Sequence, residues 1–154
     1  MNLKNILPFI AFFLLTSCSE STKYKKFIRL PEDHRWFKTD VKTIEFSIDD
    51  DSKMYDILFD FSHIADYQFN SIPIKIEIKN PNNKKELYNL DFKIKDENGK
   101  SLADCGGDIC DISMKILEKT KLQKGKYTLK ISHEFKGMYL PNVLGIGIKV
   151  IEAK

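Results

Sequence analysis

Alternation of apolar and polar residues is the feature that most constrains how this chain can fold. The clearest case is residues 72–78, where isoleucine occupies every second position. Side chains of a β-strand point alternately to opposite faces, so such a run predicts a strand with one buried and one wet face. Similar runs recur along the chain, around these apolar residues: Ile44, Phe46, Ile48; Tyr55, Ile57, Phe59, Phe61; Leu90, Phe92, Ile94; Ile112, Met114, Ile116; Tyr127, Leu129, Ile131; Leu144, Ile146, Ile148, Val150.

Turn-forming segments separate these runs, among them residues 80–83 (Asn-Pro-Asn-Asn) and the pair Asn98-Gly99. Helical periodicity is weak. Residues 114–122 could also be read as a helix, but alternation fits that segment at least as well. We therefore predict an all-β fold, an antiparallel two-sheet β-sandwich of about seven to eight strands, either jelly-roll-like or Ig-like.

The N-terminus has the pattern of a bacterial lipoprotein signal. Lys4 precedes an apolar run over residues 6–15, and the segment Leu15-Thr16-Ser17-Cys18 follows. A lipoprotein peptidase needs an aliphatic residue, two small residues and then a cysteine that receives the lipid. The alternatives are a plain signal peptide that happens to end at a cysteine, or a signal anchor. The apolar run is too short for a bilayer core, which needs roughly 20 residues.

These features predict the organisation of the chain. We expect a lipoprotein signal peptide over residues 1–17, a short lipidated tether over 18–26 and a single β-sandwich domain over 27–154. The lipid on Cys18 would make the membrane a partner. Nucleic acid is not an expected partner, because the 25 basic and 22 acidic residues are interspersed and not clustered.

Two further cysteines, Cys105 and Cys110, flank a segment with two glycines. Export permits a disulfide, and with Cys18 consumed by lipid these two thiols form an even pair. A disulfide is the favoured interpretation, with two free thiols as the alternative. Metal binding is the least favoured, because the spacing differs from a two-residue zinc knuckle and no further ligands are evident.

Known catalytic motifs are missing from the sequence. His34, His63 and His133 stand far apart, and no metalloprotease helix or nucleophile elbow occurs. The acidic run at residues 49–51 lacks the alternating spacing of a calcium loop. We expect no enzymatic activity, no metal and no cofactor. A hydrolase whose partners meet only in the fold remains a weaker hypothesis.

Aromatic residues offer two candidate contact points. Trp36-Phe37 joins the only tryptophan to a second ring, and adjacent residues of a strand point to opposite faces, so at most one of these rings lines the core. Core packing is the favoured interpretation there. The late loop around Tyr139 is apolar and contains a proline, as a docking loop often does. If aromatic residues bind a partner, Trp36 and Tyr139 are the ones we expect to contact it.

The order of these features resembles GldH, the gliding-motility lipoprotein family of the Bacteroidota. The resemblance rests on several stretches of this sequence and covers nearly the whole mature chain. They are the lipobox ending at Cys18, Leu30-Pro31 followed by Trp36, Phe46, the isoleucine strand with Asn80-Pro81-Asn82, Gly125-Lys126-Tyr127, and Leu144-Gly145-Ile146-Gly147-Ile148. The cysteine pair departs from the pattern expected at that loop.

The resemblance implies a non-enzymatic envelope protein that works with other Gld lipoproteins and the type IX secretion machinery. In this group, acids directly after the lipidated cysteine often mark export to the cell exterior. Only Glu20 follows Cys18 closely, so we expect a periplasm-facing domain. The alternative hypothesis is a glycan-binding surface lipoprotein, suggested by aromatic residues on an all-β scaffold.

Overall fold

A computed structural model describes residues 21–154, and within them all regular structure is β-strand. Eight of the eleven strands have seven or more residues, and the other three have two or three. The strands are β1 (Thr22–Arg29), β2 (Trp36–Phe37), β3 (Lys42–Ile48), β4 (Met54–Ile64), β5 (Ser71–Lys79), β6 (Lys85–Lys93), β7 (Asp104–Gly106), β8 (Ile109–Lys121), β9 (Gly125–His133), β10 (Tyr139–Leu140) and β11 (Val143–Glu152).

The strands form three antiparallel sheets. The largest has the order β1-β11-β4-β8-β7, the second has the order β3-β9-β5-β6, and β2 with β10 forms a small ladder. Rings from the two larger sheets meet across a shared core: the centroids of Phe59 on β4 and Phe92 on β6 lie 5.1 Å apart. The two larger sheets therefore face each other.

The alternating runs of the sequence lie in these strands, because side chains at every second position of a strand point into the core. On β5, the side chains of Ile72, Ile74 and Ile76 are buried in the core, while the residues between them are exposed or half-buried. Residues 114–121, which the sequence also allowed as a helix, belong to β8. Burial at alternate positions along the strands thus confirms the all-β prediction.

A buried carboxylate stabilises an irregularity in β8. Asp56 on β4 accepts hydrogen bonds from the Lys119 backbone N–H at 2.7 Å and from Lys115 Nζ at 2.8 Å. Lys119 has a positive φ of 44°. Burial alone would raise the pKa of Asp56, but hydrogen bonds from Lys115 and Lys119 outweigh burial and hold that pKa below its ordinary value.

The first strand begins within the segment predicted as tether. β1 begins at Thr22, so residues 22–26 are strand and not tether. They pair with β11, and the Tyr24 ring packs 5.7 Å from Phe46. Through these contacts, the lysine-rich segment forms an edge strand of the sheet. The predicted signal peptide, Cys18 and the first residues of the tether lie outside the described residues.

No helix within residues 21–154 is long and apolar enough to cross a membrane.

Candidate interaction surface at the distal end

β1 defines two ends of the molecule. At the proximal end Thr22 stands opposite Ile151, and at the distal end Arg29 stands opposite Gly145. The strand has eight residues, which corresponds to about 26 Å at about 3.3 Å per residue. Ser21, the first described residue, lies at the proximal end. Residues 30–35 then lead from β1 into the small ladder at the distal end.

That ladder separates its side chains into a buried pair and an outer pair. Leu140 stands opposite Trp36, and both are fully buried. Tyr139 stands opposite Phe37, with ring centroids 5.4 Å apart. Because neighbouring residues on a strand point to opposite faces, burying Trp36 turns the Phe37 ring outward.

Trp36 was expected to bind a partner, and the structure does not place it at the surface. Its side chain is 0% exposed, and its Nε1–H donates to the Asp40 carbonyl at 2.9 Å. The ring packs edge-on against His133 at 4.9 Å. An indole with a satisfied N–H inside the core anchors the ladder, and Phe37 carries the exposed ring of this pair.

The outer residues form an apolar surface, which we name the distal patch: Phe37, Met138 and Tyr139. Met138 is 76% exposed and Phe37 is 38% exposed, while Tyr139 is half-buried. The Arg35 guanidinium lies over the Tyr139 ring, 4.9 Å from its centroid. Aromatic residues, Met and Arg are the residue types enriched at the centres of protein interfaces.

Three cationic residues lie close in sequence to the distal patch. Within residues 21–154, Arg35, Lys38 and Lys136 form no ion pair with a carboxylate. Lys38 Nζ instead donates to the Phe135 carbonyl at 3.3 Å. The patch therefore combines exposed apolar side chains with cations that form no ion pair among the described residues, and it is suited to a partner surface that is apolar and acidic.

His133 supports this end of the fold from inside. The Phe135 N–H donates to His133 Nδ1 at 3.3 Å, so Nε2 carries the ring proton and donates to the Trp36 carbonyl at 2.9 Å. Burial lowers the pKa of His133, against the opposing effect of its hydrogen bond to Trp36. The neutral imidazole thereby links β9 to β2.

The described histidines are not arranged as a catalytic group. His63 Nδ1 donates to the Ile64 carbonyl at 2.8 Å, and its buried Nε2 has no hydrogen-bond partner. Nδ1 of His34 is likewise buried without a partner. In the part of the chain that the structure describes, no hydrogen bond joins a histidine to a Ser, Asp or Glu side chain, and no three His, Cys, Asp or Glu residues could together hold a metal ion.

Cys105 and Cys110 are joined by a disulfide in the structure. They stand opposite each other on β7 and β8, with their Cα atoms 4.0 Å apart. The bond fixes the three-residue β7 to the start of β8, at the edge of the sheet opposite β1.

Comparison with known proteins identifies the family. The model of the GldH lipoprotein family matches residues 22–150. The gliding motility lipoprotein GldH homolog of Christiangramia forsetii is 26% identical over 119 residues, which cover 77% of this chain and 72% of the relative. The gliding motility lipoprotein GldH of Flavobacterium johnsoniae is 24% identical over 132 residues, covering 85% and 81%.

Among solved structures, dimeric latent PorU from Porphyromonas gingivalis aligns with 88% of this chain and 14% of its own, at 10% identity and a TM-score of 0.35. That likeness is too low to support an argument. The family match spans both large sheets, the small ladder and the distal patch. The chain belongs to the GldH lipoprotein family.

Proposed function

We propose that this protein is a lipid-anchored, non-catalytic component of the gliding machinery, and that its distal patch binds another protein of that machinery. The family name supports the connection to gliding and to a lipid anchor. The observation that carries the binding role is the exposed cluster of Phe37, Met138 and Tyr139, which a monomer in water gains nothing by exposing.

The position of the patch supports this proposal. If Cys18 carries the lipid, the four residues from there to Thr22 reach about 14 Å at most. The proximal end then lies close to the membrane, and the distal patch faces away from it. A protein held in this way presents Met138 to partners in the periplasm, in keeping with a role beside the other Gld lipoproteins and the type IX secretion machinery.

A photo-crosslinking experiment tests the proposal. A benzophenone amino acid replaces Met138 in the full chain, expressed in the native bacterium, and the matched control carries it at Leu87. Leu87 is also an exposed apolar residue, 53% accessible, but it lies on β6, at the edge of the four-stranded sheet and outside the distal patch. We expect a crosslinked protein from position 138 that is missing from position 87. Equal crosslinking from both positions, or none from position 138, would contradict the proposal.

Colony spreading provides the functional readout. Met138→Ser and Phe37→Ser should reduce spreading at unchanged protein level, and Leu87→Ser should leave it normal. Met138 is 76% exposed, so Met138→Ser should change the free energy of unfolding by about 0.5 kcal/mol or less. Phe37→Ser also removes the ring contact with Tyr139 and should cost about 0.5–1.5 kcal/mol. Normal spreading of a Phe37→Ser, Met138→Ser double variant would show that the patch is not the working surface.

Lipidation is tested separately, by the intact mass of the protein purified from its own membrane. The proposal requires a chain that begins at an acylated Cys18. A retained Met1 or an unmodified thiol would overturn it.

A further inference from the structure

Phe27 lies on two glycines on the outer face of the largest sheet. A Cβ on Gly145 would stand 2.5 Å from Phe27 Cε1, and a Cβ on Gly147 would stand 2.9 Å from Phe27 Cδ2. Cε1 and Cδ2 are opposite corners of the ring, so the ring extends across both glycines with one face against the β11 backbone. Phe27 is 38% exposed. The ring is therefore a platform whose other face is open.

The strand register places charged residues on both sides of this platform. On one side, Lys25 stands directly opposite Lys149. On the other side, Gly147 stands opposite Asp60 and Asp60 opposite Ser113. These side chains line a cleft of about 450 Å³ with Phe27 in its wall. The cleft lies within the size range of small-ligand sites, about 300–1,000 Å³.

The two lysines have no acidic partner of their own. Among the described residues, neither Lys25 nor Lys149 forms an ion pair, although two carboxylates line the same cleft. Like charges directly opposite each other on neighbouring strands are destabilising. An anion between the two ammonium groups would remove that repulsion and replace it with charge-assisted hydrogen bonds.

The other side of the cleft carries acceptors. The Ser113 hydroxyl donates to Asp60 Oδ1, which leaves Oδ2 available to a ligand. Asp111 is exposed at the same edge, and it also lines a second cleft of about 520 Å³ that shares Phe27. The surface thus offers an aromatic face, two cations and free carboxylate oxygens within one continuous groove.

We propose that this groove binds an acidic oligosaccharide. The apolar C–H face of a sugar ring stacks on the open face of Phe27. Its hydroxyls donate to Asp60 and Asp111, and its carboxylate lies between Lys25 and Lys149. This site is separate from the distal patch, and it gives the glycan hypothesis a specific ring, which is Phe27 and not Trp36.

Calorimetric titration of the full-length protein, purified from its own membrane in detergent, tests the proposal. The probes are trigalacturonate and the neutral maltotriose. We expect trigalacturonate to bind more tightly than maltotriose by about tenfold or more. Lys149→Gln should remove most of that preference. Phe27→Leu, which keeps an apolar side chain over the glycines, should weaken the binding of both sugars.

Two controls make the outcomes decisive. Lys130→Gln removes an exposed cation from β9 in the other large sheet and should leave the titration unchanged. Met138→Ser should also leave it unchanged, so this proposal and the one for the distal patch can fail independently. Absence of binding at millimolar sugar would overturn the proposal. So would binding that Phe27→Leu does not weaken, or that Lys130→Gln weakens as much as Lys149→Gln does.

Discussion

Gly147→Ala should loosen the contact between the first and last strands. A Cβ at this position would stand 2.6 Å from the Lys26 carbonyl oxygen and 2.9 Å from the Phe27 ring. The ring can turn aside, but the carbonyl belongs to the paired strand β1, so relief requires the two strands to separate. Overpacking of this kind costs about 1–3 kcal/mol. The lower entropy of the unfolded Ala variant returns about 0.4–1 kcal/mol.

The net loss should be about 1–2 kcal/mol of unfolding free energy. Urea unfolding measures it: with a slope of about 1.5 kcal/mol per molar, the midpoint should fall by about 1 M without a change in slope. Gly106→Ala is the matched control, since nothing lies within 4 Å of its added Cβ and its φ is not positive. The Gly106 variant should unfold at the wild-type midpoint or slightly above it.

Adding Phe27→Leu to Gly147→Ala separates the two contacts. If the backbone oxygen dominates, the double variant remains destabilised relative to Phe27→Leu alone. A Gly147→Ala protein as stable as Gly106→Ala would refute the reasoning, because it would show that β1 and β11 are not in close contact at this point.

Three further outcomes can be measured in the same way. Trp36→Phe leaves the Asp40 carbonyl without its donor and should cost about 1–3 kcal/mol of unfolding free energy in urea. The lowered pKa of His133 means that its stabilising effect is complete above about pH 6.5 and is lost as pH falls through the folded-state value. The urea midpoint should therefore drop between pH 7 and pH 5, and His133→Gln should remove that part of the slope. Replacing Cys105 and Cys110 with serine should cost roughly 2 kcal/mol by the loop-closure estimate, and a reducing agent should then have no further effect on unfolding.

The alternating pattern predicted the all-β fold because a strand with one buried face buries every second side chain, and this shows directly in the sequence. It failed for β1, where Lys25 and Lys26 are adjacent and break the alternation. This segment is a strand because β11 offers it an edge. The sequence of residues 22–29 does not indicate that β11 is available to pair with it. Pairing of this kind depends on tertiary structure and can override local β-strand propensity.

At the candidate sites, too, the local sequence indicated only part of the arrangement, and contacts between residues far apart in the chain decided the rest. Adjacent rings at Trp36 and Phe37 indicated that one would be buried, but choosing between them required Leu140 and His133, which lie far along the chain. Nothing in the sequence around Phe27 indicated a binding site. It becomes a platform only because β11 places two glycines beneath it.

The edge position of β1 determines how the molecule would bear a mechanical load. Among the described strands its only neighbour is β11, and the two run antiparallel along the axis that connects the proximal and distal ends. Tension between a membrane anchor and a partner at Met138 would act parallel to these strands. The interstrand hydrogen bonds would then resist together in shear, and would not open one after another as in a zipper.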